Sequence, residues 1–329
     1  MERRPKLEAV GPVNRLASVS YNLLIRTVRL ADRIHMYWLW EQLWMKSVGR
    51  WRCSVFTRLH GYRSLVNFGN PYPIFARRFP RYNSPLVELV FQAFTANESP
   101  ICFVDVGAGV GDSVMLVQRS CPQMIKTFHC VEGDPEFFGY LQANLRRFSG
   151  GHLSNAVLSS SQGTASALVR VHAGTSSAQG AERVPATTLD LLLDSSGARG
   201  VHLLKTDVDG YDGRVLVGSM QMLRHERPVV LFEWHPLLCV RTGSGWLDHF
   251  EALVDCGYST FVWFNKFGEF SHLDNDFDRK RTQILADSCF ARGTDTDWHY
   301  DVVALHHASK ITPLSVAELA FADRRKSRF

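Results

Sequence analysis

The chain has 329 residues, of which 45% are apolar and 21% are charged, so it can bury one large core or two smaller ones. This composition excludes a collagen-like or disordered chain, and the net charge of +5 is too small to indicate a nucleic-acid-binding protein. No stretch interleaves basic and aromatic residues as nucleic-acid modules do, so no nucleic-acid partner is predicted.

The cysteines and the apolar runs indicate the compartment. Seven cysteines without CxxC spacing fit a reducing environment better than a disulfide framework. No signal peptide is predicted, and no apolar run approaches the roughly 20 residues that span a bilayer. The sequence therefore predicts a cytoplasmic protein.

Residues 1–80 are predicted to form an N-terminal extension, helical to about residue 60 and irregular after it. Within it, residues 21–51 combine arginines and leucines with four tryptophans, which predicts a long helix. Two interpretations stay open. The helix lies in a membrane interface, at the inner face of the membrane, or it packs its aromatic side on the rest of the chain or on a second copy in a homo-oligomer.

Residues 81–310 are predicted to form the catalytic domain, with residues 311–329 as a basic C-terminal tail. A helix starts near Ser84, with Pro85 in its first turn, and Tyr82 and Asn83 just before it are candidates to close over a cofactor. Apolar runs then alternate with helical patterns. The predicted strands are 101–107, 126–134, 153–159, 201–210, 227–236, 259–270 and 300–306. The predicted fold is α/β, a doubly wound and mostly parallel sheet with an antiparallel edge strand.

A glycine-rich loop, "VDVGAGVGD", follows the first of these strands. Gly107, Gly109 and Gly111 allow a tight turn and close approach to a ligand. Asp105 precedes the loop, where an acid would repel a pyrophosphate. Glu132 ends the next strand, where an acid reaches the two ribose hydroxyls of an adenosine. These residues, with Asp134 just beyond, predict a site for S-adenosylmethionine.

A nicotinamide dinucleotide, and hence an NAD(P)-dependent oxidoreductase, is the alternative. The third glycine falls one residue too early for GxGxxG, and the sequence has no Tyr-x-x-x-Lys pair. A third interpretation is a non-catalytic, membrane-peripheral scaffold, which would not need the two acids Asp105 and Glu132.

Five segments, in order over residues of about 83 to 236, resemble the FkbM family of S-adenosylmethionine-dependent O-methyltransferases. They are "FVDVGAGVGDS", "VEGDPEFFGYLQANL", "VPATTLDLLL", "LLKTDVDGYDGRVLVGS" and "PVVLFEWHP". The family's usual Lys-x-Asp-x-Glu-Gly-x-Glu has Asp209 and Asp212 here in place of the glutamates, a variant that we associate with bacterial glycan and lipopolysaccharide gene contexts. The resemblance implies a class I methyltransferase (Rossmann-like) domain that methylates a hydroxyl of a glycan, glycolipid or related natural product.

Two pairs of polar residues at strand ends are the catalytic candidates. Asp207 and Asp209 end the strand 201–210, where alternation would turn both to one side, and Glu233 and His235 end its neighbour. A sugar hydroxyl is a weak acid, so methyl transfer to it needs a general base. His235 is the predicted base, because histidine is the residue type that most often serves as a general base, with Asp207 orienting it or contacting the cofactor.

The same acids are also candidates for binding a metal ion or for pairing with a lysine. Asp207, Asp209 and Glu233 offer oxygen ligands suited to Mg²⁺, but the resemblance does not imply a metal and no metal ligand is assigned. Lys205 is a candidate ion-pair partner of Asp207 or Glu233. Asp212 falls in the first turn of the following helix and is predicted to be structural.

Overall fold

The computed structural model describes residues 10–48, 53–172, 174–293 and 298–319. Before the sheet domain lie α1 Arg15–Arg33, α2 Tyr37–Val48, β1 Ser54–Leu59, β2 Tyr62–Asn67 and α3 Tyr72–Arg78. Helix α1 begins where the side chain of Asn14 accepts a hydrogen bond from the backbone N–H of Ala17. No helix within the described ranges is long and apolar enough to cross a membrane.

The extension is helical, but the single long helix predicted over residues 21–51 is wrong, because α1 ends at Arg33 and α2 begins at Tyr37. The expectation of helix up to about residue 60 is also wrong from residue 54 onward. Strands β1 and β2 pair as an antiparallel hairpin, with Leu59 opposite Tyr62. The two residues between them, His60 and Gly61, have φ of +48° and +86°. Two consecutive positive φ values match the tight hairpin turn that suits the twist of paired strands.

The rest of the chain alternates between strands and helices. The first half comprises α4 Ser84–Asn97, β3 Ile101–Val106, α5 Asp112–Ser120, β4 Ile125–Glu132, α6 Pro135–Leu145, β5 Gly151–Asn155, β6 Val157–Leu158, β7 Gly163–Ser166, β8 Val169–His172, β9 Thr175–Ser177 and β10 Arg183–Thr187. The second half comprises α7 Leu189–Ser196, β11 Val201–Thr206, α8 Asp212–Val217, α9 Met220–Glu226, β12 Val229–Trp234, α10 Pro236–Thr242, α11 Asp248–Asp255, β13 Tyr258–Asn265, β14 Phe270–Asp274, α12 Arg279–Arg292, β15 Tyr300–His306 and α13 Pro313–Leu319.

The central sheet confirms the predicted fold class. Its strand order is β14-β13-β15-β12-β11-β3-β4-β5. Strands β12, β11, β3, β4 and β5 are parallel, and the edge strand β14 is antiparallel to β13. The last strand, β15, is also antiparallel, but it lies inside the sheet between β12 and β13. It therefore brings its first residues to the edge where β12 ends.

Each face of the sheet has its own buried core. One includes residues of α4, α5 and α6 together with Tyr21 and Trp44 of the extension. The other includes residues of α7, α8, α9 and α11. Two small sheets, β6-β10-β7 and β8-β9, lie in the segment between β5 and α7. The buried side chains of the N-terminal extension are thus continuous with one face of the sheet domain.

Thr188 and Asp190, of the "VPATTLDLLL" segment, cap two helices that pack on the same face of the sheet. Thr188 caps α7 by accepting a hydrogen bond from the N–H of Leu191. Asp190, in the first turn of α7, accepts hydrogen bonds from the backbone N–H groups of Gln221 and Met222, both at 2.9 Å. It therefore caps α9, the helix that precedes β12.

The chain order places a cleft at one edge of the sheet. From β3 the chain proceeds outward through β4 and β5, and it later returns to build β11 and β12 on the other side of β3. Ligands of doubly wound sheets bind at such a switch point, beyond the carboxyl ends of the strands. The glycine loop follows β3 and the acidic turn follows β11, so both predicted motifs meet there.

Candidate active site

The glycine loop packs directly on the acidic turn. A Cβ atom at Gly107 would lie 1.9 Å from the carbonyl oxygen of Asp207, and Gly107 has a φ of +76°. The N–H of Asp207 in turn donates to the carbonyl of Val106 at 3.0 Å. Because no other residue fits at position 107, the two motifs form one continuous wall.

A cavity of about 260 Å³ lies above this wall. Among the described residues that line it, Lys205 is the only lysine or arginine. Six carboxylic acids also line it: Asp112, Glu132, Asp207, Asp209, Glu233 and Asp301. The cavity is therefore built to hold a ligand that carries positive charge or many hydroxyl groups.

Glu132 holds the glycine loop from the end of β4. One of its carboxylate oxygens accepts a hydrogen bond from the N–H of Gly109 at 2.8 Å, and the other from the N–H of Asp134 at 2.7 Å. Burial raises the pKa of Glu132 to about 7. Glu132 lines the cavity beside Gly109, as a cofactor-binding residue would.

Asp134 is engaged within the protein. Its Oδ1 caps α6 by accepting from the N–H groups of Glu136 and Phe137, and its Oδ2 accepts from Arg170 and Ser176. It is not among the described lining residues. Its predicted contact with the cofactor stays a prediction.

Lys205 bridges two aspartates at the floor of the cavity. Its Nζ lies 3.0 Å from Oδ2 of Asp207 and 3.6 Å from Oδ1 of Asp105, its register partner on β3. Burial alone would lower the pKa of Lys205, but the charges of Asp207 and Asp105 outweigh it and raise the pKa well above its usual range. Burial also raises the pKa of Asp105 to about 6. Asp105 therefore lies below the lining as the buried partner of Lys205.

The backbone turn after β11, and not the alternation of a strand, determines where Asp207 and Asp209 lie. Strand β11 ends at Thr206, and Asp209 has a left-handed φ of +52°. The argument that alternation directs Asp207 and Asp209 to one side is therefore wrong, although both line the cavity. Asp212 accepts hydrogen bonds from Thr206 at 2.8 Å and from the N–H of Val208 at 3.2 Å. Its predicted structural role is confirmed, because it closes the turn.

A second acidic group lies on the neighbouring strands. Nε2 of His299 is 3.4 Å from Oε1 of Glu233, and Asp301 of β15 is the register partner of Glu233. Burial, together with the charge of Asp207, raises the pKa of Asp301 to about 7. Sequence reasoning missed His299 and Asp301, because nothing in the sequence shows that β15 inserts beside β12.

His235, the base predicted from the sequence, lies behind this group. Its Nδ1 accepts a hydrogen bond from the N–H of Leu238 at 3.4 Å and so caps α10. Its ring stacks on that of His299, with 5.5 Å between centroids, and it is not among the described lining residues. The role of His235 as base stays a prediction.

Aromatic residues of α3 and of the segment before α4 close the cavity. Tyr72, Phe75 and Tyr82 line it, together with Asn83. The rings of Phe75 and Tyr82 stack at 5.8 Å, and burial raises the pKa of Tyr82 well above its usual range. The residues before α4 thus form a wall of the site. In the described part of the chain, no three histidine, cysteine or acidic side chains are grouped to hold a metal ion.

Most of the sheet domain matches a known family. Residues 105–260 match the family model of the methyltransferase FkbM domain. These residues belong to that family. The FkbM domain thus runs from the buried Asp105 to the start of β13, and it contains the glycine loop, Glu132, the acidic turn and Glu233.

Solved structures and curated proteins were also compared with the chain. It is similar to the methyltransferase FkbM from Methylobacillus flagellatus KT, with 12% identity, a TM-score of 0.41 and coverage of 71% of this chain and 58% of that one. It is similar to the precorrin-6y C5,15-methyltransferase from Geobacter metallireducens GS-15, with 14% identity, a TM-score of 0.37 and coverage of 71% and 87%. The plantazolicin methyltransferase BpumL, solved in complex with SAH, gives 10% identity, a TM-score of 0.37 and coverage of 70% and 87%. No curated protein matches the sequence.

The FkbM domain is of the S-adenosylmethionine type, and its lining residues fit that cofactor. S-adenosylmethionine carries a sulfonium cation and has no phosphate. Six carboxylic acids against a single lysine favour a cationic ligand and disfavour a pyrophosphate. Gly109 and Glu132 lie where backbone and carboxylate can approach an adenosine.

Proposed function

We propose that this FkbM methyltransferase domain methylates a hydroxyl group of a glycan, a glycolipid or a related natural product. The observation that carries the proposal is the lining of the cavity, in which six acids accompany one lysine. Carboxylates accept hydrogen bonds from hydroxyl groups but repel phosphates and carboxylates. The aromatic wall of Tyr72, Phe75 and Tyr82 offers flat apolar faces for a sugar ring or a similar scaffold.

S-adenosylmethionine supplies an activated methyl group on its sulfonium. The chain must align the acceptor oxygen with that methyl group and remove the hydroxyl proton. Asp207, whose side chain is 46% exposed and held by Lys205, is proposed to accept a hydrogen bond from the acceptor, with Asp209 beside it. Both lie on the turn that the glycine loop supports.

His299 is the proposed general base. Its imidazole lines the cavity, and the Glu233 carboxylate beside it can stabilise the imidazolium formed when a proton is taken up. His235 then acts through its ring contact with His299 as a positioning residue. We propose a cytoplasmic site for the reaction, since the cofactor and the seven free cysteines suit a reducing compartment.

The test is methyl transfer from trideuteromethyl-labelled S-adenosylmethionine to extracted cell-envelope glycans, followed by mass spectrometry of the labelled sugars. We expect an O-linked trideuteromethyl group. Because a positioned base contributes about 10²–10⁴-fold, H299A should lower kcat by about 100-fold or more, and H235A by about tenfold. D207N removes the carboxylate that is proposed to accept a hydrogen bond from the acceptor, so it should also lower kcat.

Each other outcome selects another interpretation. Full activity of H299A with loss in H235A would restore the base predicted from the sequence. Calorimetric binding of NADH without binding of S-adenosylmethionine would replace the proposal by an oxidoreductase. Binding of neither would leave the non-catalytic scaffold.

A further inference from the structure

The outer face of α1 carries an apolar stripe that is largely exposed in the described part of the chain. Leu16, Val19, Leu23 and Leu30 are all exposed, Leu16 by 74%. Their spacing of three, four and seven residues places them on one side of the helix. The opposite side holds the buried residues Ala17, Tyr21, Ile25, Val28 and Ala31. Helix α1 is therefore apolar on two opposite sides, and the described residues bury only one of them.

Helix α2 also carries exposed apolar side chains. Trp40 and Trp44 are buried, and they stack on each other at 5.8 Å. Trp38, in contrast, is 65% exposed, and Leu43 and Met45 are exposed as well. The structure thus divides the tryptophans: two pack inward, as one interpretation of the sequence expected, while Trp38 faces outward with the leucines.

Arginines border the stripe. Arg15, Arg26 and Arg33 are exposed, and their spacing of eleven and seven residues places them along one edge of α1. The described residues 10–48 and 53–78 include nine arginines and lysines and only two acids, a formal charge of +7 in a chain whose total is +5. One of these acids, Asp32, is already paired with Arg78 at 2.8 Å. The surface is therefore both apolar and strongly cationic.

A groove of about 710 Å³ continues this surface between α1, the β1–β2 hairpin and α3. Val19 and Leu23 of the stripe line it on one side. Four exposed arginines also line it: Arg26, Arg58, Arg63 and Arg77. Apolar walls under arginine side chains suit a molecule with an anionic head and an apolar tail.

We propose that this surface docks the protein on a bilayer of anionic phospholipids, with the stripe in the interface and the arginines at the headgroups. Apolar burial combined with attraction of basic side chains to anionic lipids is how interfacial helices bind. A second copy of the chain is the weaker occupant, because a symmetric dimer would bring two surfaces of the same charge together.

The active-site cavity lies next to the docked surface. Tyr72 of α3 lines both the groove and the cavity. A bilayer on the groove would therefore lie one side chain away from the site. If the proposed function holds, this favours an acceptor carried on a membrane lipid, although docking itself does not depend on that function.

The test is co-sedimentation of the full chain with vesicles of phosphatidylcholine alone and with one-third phosphatidylglycerol. We expect at least about tenfold tighter binding to the anionic vesicles, weakened by about 0.5 M salt. The pair L23S and L30S, and the pair R26E and R33E, should each lower that binding by about tenfold. Matched controls are I284S, at an apolar residue of α12 that is 67% exposed, and R241E, at an exposed arginine of α10; both should bind like the unaltered chain.

The proposal is overturned if the anionic vesicles do not retain the protein, or if the two paired variants bind as the controls do. Sedimentation velocity tests whether a second copy of the chain occupies the surface instead. A dimer of the unaltered chain that L23S with L30S dissociates would make the stripe an interface between copies. Circular dichroism and thermal melts establish that each variant is folded.

Discussion

At the scale of residues, the site depends on one buried cation. Lys205 is only 8% exposed and lies between Asp105, which is fully buried, and Asp207. Removing one partner of a buried ion pair leaves a charge without compensation, which typically costs about 3–5 kcal/mol. The charge of Lys205 thus compensates both Asp207, which lines the cavity, and Asp105, which lies beneath it.

We therefore expect K205M to lower the free energy of unfolding by about 3–5 kcal/mol, because the carboxylate of Asp105 loses its counter-charge. Urea denaturation measures the change. The control is the double variant D105N with K205M, which removes both charges and should recover more than half of the loss. Equal instability of the single and double variants would contradict the pairing.

A site residue could be predicted from the sequence when a local pattern of strands and helices places it, and not when a long-range strand pairing does. Glu132 and Asp207 were found because each lies at the end of a parallel strand next to the glycine loop, a relation that the pattern of elements already contains. His299 and Asp301 come from β15, whose insertion beside β12 is a long-range pairing that leaves no local signal. The role of His235 as a cap of α10 depends on the bend after Trp234, which strand periodicity does not show.

At the scale of elements, the glycine loop and the acidic turn are one structural unit. Gly107 and Gly197 have similar left-handed φ values of +76° and +68°. A Cβ atom at Gly107 would meet the Asp207 carbonyl at 1.9 Å, whereas one at Gly197 would meet nothing within 4 Å. An alanine at Gly197 would therefore add backbone strain alone, whereas an alanine at Gly107 would add the same strain together with a steric clash.

We expect G197A to cost about 1–2 kcal/mol of stability, the strain of a left-handed residue with a Cβ atom, and to bind S-adenosylmethionine normally. G107A has the same strain plus the clash, so it should weaken binding of the cofactor by about 100-fold or more. Calorimetry and thermal melts on both variants make the comparison. Comparable cofactor affinity in G107A and G197A would refute a binding role for the contact between the two motifs.

The elements themselves were predictable where a local pattern decides them. The apolar residues of β3, interrupted only by Asp105 and buried at all six positions of the strand, indicate the central parallel strand. The hairpin of β1 and β2 was missed, because its turn is made by His60 and Gly61 and not by a common Asn-Gly or Asp-Gly pair. The predicted strand 201–210 is four residues longer than β11, which ends at Thr206. Asp207 and Asp209 continue the alternation expected of a strand, but the backbone already turns there.

At the scale of the whole molecule, opposite charges are separated. The described residues 10–48 and 53–78 carry a formal charge of +7, while six acids are among the described residues that line the cavity. The total of +5 is the sum over the whole chain, so composition alone could not reveal either region. The charge of the cavity is the feature on which the assignment of cofactor and acceptor depends.

The pH dependence of that charge tests the assignment most directly. Burial raises the pKa values of Asp112, Glu132 and Asp301 to about 7, so these acids are largely neutral below pH 6 and ionised above pH 8. Their ionised forms attract the sulfonium of S-adenosylmethionine. S-adenosylhomocysteine has the same adenosine and amino-acid groups but a neutral sulfur, so it is the matched control.

The measurement is calorimetric titration of the protein with each of the two ligands from about pH 6 to pH 8. We predict that the affinity for S-adenosylmethionine, relative to S-adenosylhomocysteine, rises by about tenfold over this range, which corresponds to about 1.4 kcal/mol. A ratio that does not change with pH, or the absence of S-adenosylmethionine binding, would contradict an acidic cavity that holds a sulfonium cofactor.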